Sequence, residues 1–279
     1  MTHAAADSSL PPLDQLHSLG LDVAEGYRRD GHTVVRGLAS AEEVAAYRPH
    51  IVAACDSQRY ETRPLAERDT YGKAFLQYWG LAAVNTAVAR FVHSRRFAKL
   101  AADLMGVDAV CIYHDQALLK EPGGGPTPLH QDQYYWPIDD SPTITMWMPL
   151  VPVTAEIGSM TFVSGSHRSG HENHFEISDR SEAEVRALIA ERGLATVNYG
   201  ALAPGDATFH AGWTLHGAPA NPTNEMREVM TVIYFAADVH VIQPEKHQQG
   251  DFESWLAGYR PGQIIAGPQH PVVWARTGV

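Results

Sequence analysis

The segment Pro128-Leu-His-Gln-Asp-Gln-Tyr-Tyr-Trp-Pro137 decides how the second half of this chain is interpreted. Its bounding prolines and its aromatic residues favour a short β-strand at Leu129–Tyr135. Since alternate side chains of a strand leave the same face, His130 and Asp132 are expected to point the same way. An imidazole nitrogen and a carboxylate oxygen on one face can bind one cation, so the segment predicts two ligands of a metal site.

Strand-like runs recur throughout residues 107–242, separated by glycine, proline, asparagine and aspartate. Together with an earlier run at His32–Val35, they lie at Ala109–Leu119, Thr143–Pro149, Ser159–Val163, Ala195–Tyr199, Gly205–Phe209, around Leu215 and at Val229–Ala236. One acidic helix is predicted among them at Ser181–Arg192, where Ser181 and Glu184 form a capping-box pattern. Many short strands after a helical segment predict a mainly β fold with flanking α-helices, of the sandwich or jelly-roll type.

Residues 1–106 favour helices, which we expect to pack on the outside of the strands. Ser40 and Glu43 form a second capping-box pattern, which predicts a helix at Ala41–Cys55. An apolar period of 3.6 residues from Phe75 to Leu104 predicts one or two further helices.

The chain of 279 residues shows neither an internal repeat nor a linker. We therefore expect one domain over residues 1–279, with a jelly-roll core at 107–242 and a mostly irregular tail at 243–279.

The composition excludes several classes of protein. The chain has 21 lysine and arginine residues against 32 aspartate and glutamate residues, a net charge of −11, and no dense basic run. We therefore expect neither a nucleic acid nor an anionic membrane as a partner. Two cysteines, Cys55 and Cys111, are too few for a disulfide framework or a thiolate zinc site, and they favour a cytoplasmic location. No apolar run of about 18 residues is present to span a membrane.

A third metal ligand must come from elsewhere in the chain. His216 is the preferred candidate, 84 residues after Asp132, and His210 competes with it. Two histidines and one carboxylate leave three positions of an octahedron open, which is the arrangement of non-haem Fe(II) oxygenases. Zinc accepts the same ligands, so a zinc hydrolase is an alternative.

Arg227 favours the iron interpretation. It lies eleven residues after His216, at the start of a strand that a turn near Asn221 would fold back beside His216. A guanidinium there could bind one carboxylate of 2-oxoglutarate while the other end of that molecule chelates iron. A zinc hydrolase has no such need. A non-enzymatic, cupin-like binding protein with a vestigial site is the remaining alternative.

At this point the chain resembles the phytanoyl-CoA dioxygenase (PhyH) family of Fe(II)/2-oxoglutarate-dependent oxygenases. The resemblance covers most of residues 30–240. It rests on Leu129-His-Gln-Asp-x-x-Tyr-x-Pro137, Trp147, Glu156-x-Gly-x-Met-x-Phe-Val-x-Gly-Ser-His167, Pro204-Gly-Asp206, His216 and Arg227.

The resemblance implies a double-stranded β-helix, the cupin-like jelly roll, with iron on His130, Asp132 and His216. It also implies that 2-oxoglutarate binds to the protein. The residues implied for that cosubstrate are Arg227, Trp147, Gln116 and Lys73.

The implied reaction activates O₂, decarboxylates 2-oxoglutarate to succinate and oxidises a C–H bond of a small, partly apolar molecule. The product would arise by hydroxylation, or by ring closure, epimerisation or desaturation. By analogy with bacterial members we expect natural-product tailoring, as in antibiotic biosynthesis. The residues expected to contact the substrate are Tyr134, Trp136, Phe75 and Trp213. Strand alternation places Tyr134 on the ligand face and Tyr135 opposite.

Overall fold

Two antiparallel β-sheets form the centre of the protein, which the computed structural model describes over residues 10–170 and 179–276, with side chains from 183 onward in the second range. The strands β1 to β11 lie at His32–Val35, Leu76–Trp79, Ala109–Lys120, Thr127–His130, Thr143–Pro149, Thr161–Val163, Thr196–Asn198, Ala207–Ala211, His216–Ala218, Arg227–Ala236 and Val272–Ala275.

Helices occupy most of the segment before β3. The helices α1 to α8 lie at Leu21–Asp30, Ala41–Ser57, Thr70–Ala74, Leu81–Val84, Thr86–Val92, Arg95–Met105, Asp179–Arg192 and Gln249–Asp251. Short 3₁₀ turns lie at Leu65–Glu67, Asp132–Tyr135, Ser166–Ser169 and Lys246–Gln248, and a π-helical turn at Phe252–Leu256. Within the described ranges, no helix combines the length and the apolar character needed to cross a membrane.

The larger sheet has seven strands in the order β1-β8-β5-β10-β3-β11, with β2 paired to the other end of β3. The smaller sheet has the order β4-β9-β6-β7. The two sheets face each other, because Trp147 and Val229 of the larger sheet share a buried cluster with Phe162 of the smaller one. The expected mainly β fold with flanking helices is therefore confirmed as a double-stranded β-helix.

Alternation along β10 separates the inside of the barrel from the helical layer. Met230 and Val232 join the large apolar cluster that includes the buried faces of α2, α5 and α6. Arg227 and Thr231 leave the opposite face and line a cavity between the sheets. A period of two residues thus assigns one face of the central strand to the core and the other to the candidate site.

A β-bulge in β3 changes which residues face inward. Tyr234 pairs with Ile112 and Ile233 pairs with His114, so that Tyr113 is an extra residue in β3. As a result, Tyr113 joins an inner cluster with Phe235, while its neighbour His114 lines the cavity.

The C-terminal segment closes one end of the barrel. Phe252 and Trp255 pack against the inner cluster that contains Tyr113 and Phe235. The mostly irregular tail expected from the sequence thus contains α8, the π-helical turn and β11, which pairs with β3.

Several predicted elements are confirmed. The strands at His32–Val35 and Thr143–Pro149 have the predicted bounds. The capping box of Ser40 and Glu43 is formed, and the helix it begins runs two residues past the predicted end, to Ser57. Helix α7 is described over Asp179–Arg192, and the proposed capping side chain of Ser181 lies outside the described residues.

Two predicted elements are wrong. The segment from Phe75 to Leu104 contains a strand and three helices instead of one or two helices. Gly80 adopts a left-handed conformation, and Asn85 caps a new helix with its side chain, so both interrupt the apolar period. The strand predicted at Leu129–Tyr135 ends at His130, and Asp132 begins a 3₁₀ turn.

The loop before β8 ties the helical layer to the larger sheet. The Asp206 carboxylate accepts hydrogen bonds from the backbone of Gly37 and Ala203 and from Arg36, at 2.8–2.9 Å. Gly205 adopts a φ of +91°, and a Cβ added there would lie 2.1 Å from the carbonyl oxygen of Ala39. Only glycine fits this backbone approach.

We predict that Gly205→Ala lowers the free energy of unfolding by about 3 kcal/mol or more, because it combines left-handed strain with a backbone clash. Gly200→Ala is the matched control, since Gly200 also has a positive φ of +72° but nothing within 4 Å of an added Cβ. The control should lower the free energy of unfolding by about 1 kcal/mol, which is the cost of the backbone strain alone. Urea denaturation measures both, and equal losses would contradict the role of the close approach.

Candidate active site

His130, Asp132 and His216 converge at one point inside the barrel. His130 and His216 are partners across the β4–β9 pair. The Nε2 atoms of both histidines lie 3.5 Å from Oδ1 of Asp132. One donor atom from each residue lies within 4.8 Å of the other two. Although the predicted strand does not reach Asp132, the 3₁₀ turn places its carboxylate beside both rings.

The backbone fixes the tautomers of both histidines. The Nδ1 atom of His130 lies 2.9 Å from the carbonyl oxygen of Pro128, and that of His216 lies 2.9 Å from the carbonyl oxygen of Thr214. A carbonyl oxygen only accepts hydrogen bonds, so each Nδ1 carries the proton and donates it. Each Nε2 therefore presents a lone pair toward Asp132, which is the form in which imidazole binds metals.

His210 contacts the other oxygen atom of the same carboxylate. Its Nε2 lies 3.0 Å from Oδ2 of Asp132, which also accepts a 2.9 Å hydrogen bond from the Thr145 hydroxyl. The ring of His210 is almost completely buried, at 1% exposure. Of the two histidines that compete for the third position, the structure places His216 with His130 and Asp132, and places His210 where it orients the carboxylate.

The ionisation states suit a cation. Burial alone would raise the pKa of Asp132, but the neighbouring histidines, with the hydrogen bond of His210, hold it well below its usual range. Burial, with the neighbouring His210 and His130, lowers the pKa of His216 well below its usual range. The group therefore offers an anionic carboxylate and a neutral imidazole, and neutral imidazoles and carboxylates are the ligands of hard and borderline metals.

Arg227 is buried between the sheets at 2% exposure. Its Nη1 donates to the carbonyl oxygen of Gly158 at 2.8 Å, and its guanidinium carbon lies 5.5 Å from the centre of the Trp147 ring. Among the described residues, Nε has no hydrogen-bond partner and no carboxylate forms an ion pair with the guanidinium. Burial lowers its pKa to about 9. A buried cation without a counter-ion implies an anionic ligand.

Lys120 adds a second buried cationic group that the sequence analysis missed. It is the register partner of Arg227 on β3 and is completely buried. Its amine donates to the carbonyl oxygen of Gly125 and lies 3.4 Å from the Thr127 hydroxyl. Burial, and secondarily Arg227, lower its pKa to about 6. A lysine directly after the apolar run Ala117-Leu-Leu119 of a predicted strand is a signal that could have found it.

Gly158 allows the guanidinium to lie where it does. It has a φ of +96°, and an added Cβ would lie 3.1 Å from Nη1 of Arg227 and 3.5 Å from Cδ of Lys120. The glycine of the Glu156-x-Gly motif therefore provides both a carbonyl acceptor and the space for two cationic side chains.

A cavity of about 510 Å³ joins the His-Asp-His group to Arg227. Its volume lies within the usual range for small-molecule sites. Aromatic side chains form much of its lining, namely Tyr71, Phe75, Trp79, Tyr135, Trp136 and Trp147. Polar side chains in the lining, other than the His-Asp-His group, include Gln77, Gln116, His114, His247 and Asp251.

The structure brings some of the predicted contact residues to the cavity and not others. Gln116, Trp147, Phe75 and Trp136 line it.

Tyr134, Trp213 and Lys73 are not among the lining residues. Because the 3₁₀ turn replaces strand alternation, Tyr134 stacks on His247 with ring centres 4.0 Å apart, and Tyr135 faces the cavity. The carbonyl oxygen of Trp213 accepts a hydrogen bond from Gln131, and Lys73 contacts Gly125 through its backbone carbonyl.

Comparison with known protein families identifies a match for this chain. Residues 27–229 match the family described as Phytanoyl-CoA dioxygenase (PhyH). The peroxisomal phytanoyl-CoA dioxygenase of Homo sapiens is 23% identical over 271 residues, which cover 86% of this chain and 75% of that protein.

Solved structures show the same fold. The non-heme alpha ketoglutarate dependent carbocyclase SnoK from nogalamycin biosynthesis has a TM-score of 0.76 and 25% identity, over 91% of this chain and 96% of that one. The epimerase SnoN, in complex with Fe3+, alpha ketoglutarate and nogalamycin RO, has a TM-score of 0.74 and 28% identity, over 90% and 97% of the two chains.

The matched range contains the convergent His-Asp-His group and extends past Arg227. The chain therefore belongs to the phytanoyl-CoA dioxygenase (PhyH) family and is an Fe(II)/2-oxoglutarate-dependent dioxygenase.

Proposed function

We propose that His130, Asp132 and His216 bind Fe(II) and that Arg227 binds the distal carboxylate of 2-oxoglutarate. The substrate is a small, partly apolar molecule that enters the aromatic part of the cavity and is oxidised at a C–H bond. The observation that carries this proposal is the buried guanidinium without a counter-ion, which opens into the same cavity as the three convergent donor atoms.

The donor set fits ferrous iron. Two imidazole Nε2 atoms and one carboxylate oxygen can bind one ion and leave its other coordination positions open to the cavity. When bound, iron supplies the activation of O₂ and the oxidative decarboxylation of 2-oxoglutarate to succinate and CO₂. The carbonyl oxygens of Pro128 and Thr214 hold the two imidazoles in the required tautomer, and Thr145 with His210 holds the outer carboxylate oxygen of Asp132.

The cationic end of the cavity fits a dicarboxylate. A guanidinium can donate two parallel hydrogen bonds to one carboxylate, and its burial strengthens that interaction. Trp147 supports the guanidinium from one side, and Lys120 adds cationic character from the next strand. A zinc hydrolase, the alternative for this ligand set, has no role for such a group.

The aromatic lining orients the substrate and excludes water from the reacting C–H bond. The relatives named above include a carbocyclase and an epimerase from nogalamycin biosynthesis. Their likeness supports natural-product tailoring for this chain, with hydroxylation, ring closure, epimerisation or desaturation as outcomes of the same C–H oxidation. Cys55 and Cys111 are buried free thiols, which supports a reducing compartment such as the cytoplasm.

We predict that Arg227→Gln weakens 2-oxoglutarate binding by about 2–3 kcal/mol, or roughly 30- to 150-fold, since a buried charge-assisted pair is lost. Anaerobic calorimetry with Fe(II) measures this affinity. Arg48→Gln is the matched control, because Arg48 pairs with Glu228, the next residue of β10, in a surface position. The control should bind normally, whereas an unaltered affinity in Arg227→Gln would refute the assignment.

The two competing histidines should differ in iron retention. His216→Ala removes a proposed ligand and should abolish stoichiometric iron binding. His210→Ala removes only a hydrogen bond to Asp132 and should weaken iron binding about 10- to 100-fold, as loss of an orienting partner does. Metal analysis after anaerobic Fe(II) loading and desalting decides between them, and retention of iron by His216→Ala with loss in His210→Ala would reverse the assignment.

Binding of 2-oxoglutarate should take up a proton at pH 7.5. The pKa of Lys120 is about 6 in the free protein, so its amine is mostly neutral at this pH. A nearby dicarboxylate favours the charged amine and raises that pKa, so up to about one proton binds per site. Calorimetry in buffers of different ionisation enthalpy counts this proton. Lys120→Met should show no uptake, and a wild-type enthalpy independent of buffer would contradict the prediction.

A further inference from the structure

The cavity contains a carboxyl group that the proposed iron and cosubstrate sites do not use. Asp251 ends α8 and lines the cavity. Its Oδ2 accepts a hydrogen bond from the hydroxyl of Tyr113. Its other oxygen accepts no hydrogen bond from the described residues. This other oxygen is therefore available to accept a hydrogen bond from a molecule in the cavity.

No cationic side chain of the described residues offsets this carboxyl group. No lysine, arginine or histidine among them forms an ion pair with Asp251. Of the other charged side chains in the lining, Asp132 belongs to the His-Asp-His group, and Arg227 is the residue proposed to bind 2-oxoglutarate. Burial lowers the pKa of His114 to about 3, so this lining histidine is neutral. Burial likewise raises the pKa of Asp251 to about 7, against the opposing effect of the hydrogen bond from Tyr113.

The fold holds this group in place rather than leaving it on a free loop. The bulge in β3 turns both Tyr113 and His114 to the inside of the barrel. Tyr113 is buried in the inner cluster, and its hydroxyl fixes Asp251. Trp255, one turn further along the C-terminal segment, stacks on His114 with ring centres 4.8 Å apart. Two contacts thus join the segment that carries Asp251 to β3.

Aromatic rings line the same cavity as the carboxyl group. Tyr135 and Trp136 line the cavity, and Tyr71 and Trp79 line it while remaining about 40% exposed, as residues at an opening do. Ring faces attract ammonium groups and stack on planar molecules. A carboxylate together with such rings is the chemistry that recognises an organic cation.

We propose that Asp251 binds a protonated amine of the substrate, so that the enzyme selects a ring-containing basic amine over its neutral analogue. This inference rests on the proposed function, since it concerns the substrate of the same site. Asp251 is a specificity-determining residue here, and iron and 2-oxoglutarate binding do not depend on it.

The test uses the protein loaded with Fe(II) and 2-oxoglutarate without oxygen. Calorimetry measures the binding of matched probes with one, two or three rings, namely benzylamine, 2-naphthylmethylamine and 9-anthracenylmethylamine, each against the corresponding alcohol. We expect at least one amine to bind tenfold or more tightly than its alcohol. Asp251→Asn should remove this difference while still accepting the Tyr113 hydrogen bond. Tyr113→Phe should keep it, because the carboxylate remains.

Glu253→Gln is the matched control, since Glu253 lies two residues away on the same segment and is exposed. It should keep the preference for the amine. Equal binding of amine and alcohol by the wild type, binding of neither, or a preference that survives Asp251→Asn would overturn the proposal. Titration of 2-oxoglutarate into the same protein variants loaded with Fe(II) alone tests the proposed function separately, because failure of 2-oxoglutarate to bind to the wild type would refute that function itself.

Discussion

A guanidinium buried between two sheets without a carboxylate beside it is the constraint on which the site depends. Transfer of a lone cation from water into a protein interior is costly, and such a group persists where a bound anion compensates it. Arg227 meets only a carbonyl oxygen and the face of Trp147 among the described residues. Lys120 is buried beside it, and because burial lowers its pKa to about 6, its amine is mostly neutral until a nearby anion favours the charged form. The protein thus retains one buried cation and one amine that can become cationic, and a bound dianionic molecule would stabilise both.

The β-architecture places that proposed anion site next to the proposed metal ligands. Arg227 faces inward because β10 alternates, and its helix-side neighbours complete the core. His130 and His216 meet because they are partners across two strands of the opposite sheet. The space between the sheets is therefore bounded by a cationic end and by a group of metal donors. The C-terminal segment and the bulge in β3 add Asp251 and His114 to the lining of this space.

The resemblance to the family implied Trp147 and Gln116 for the cosubstrate, and both line the cavity. The sequence itself predicted β5 with its bounds and the meeting of residues 130, 132 and 216, although Asp132 lies in a 3₁₀ turn rather than on the predicted strand. It failed where local geometry replaces periodicity. The 3₁₀ turn after His130 moved Tyr134 out of the lining and brought Tyr135 in, and Gly80 and Asn85 broke what appeared to be one helical period. Asp251 was missed because its importance comes from burial and from the lack of a cationic partner among the described residues, which a sequence does not display.

The central claim concerns one geometry, in which a ferrous ion and a dicarboxylate share the space between the sheets. A crystal structure of the protein with Fe(II) and 2-oxoglutarate, prepared without oxygen, tests it most directly. The account predicts iron bound by Nε2 of His130, Nε2 of His216 and a carboxylate oxygen of Asp132, with the distal carboxylate of 2-oxoglutarate paired to the Arg227 guanidinium. Iron bound to His210, or a cosubstrate that leaves Arg227 without an anion, would contradict it.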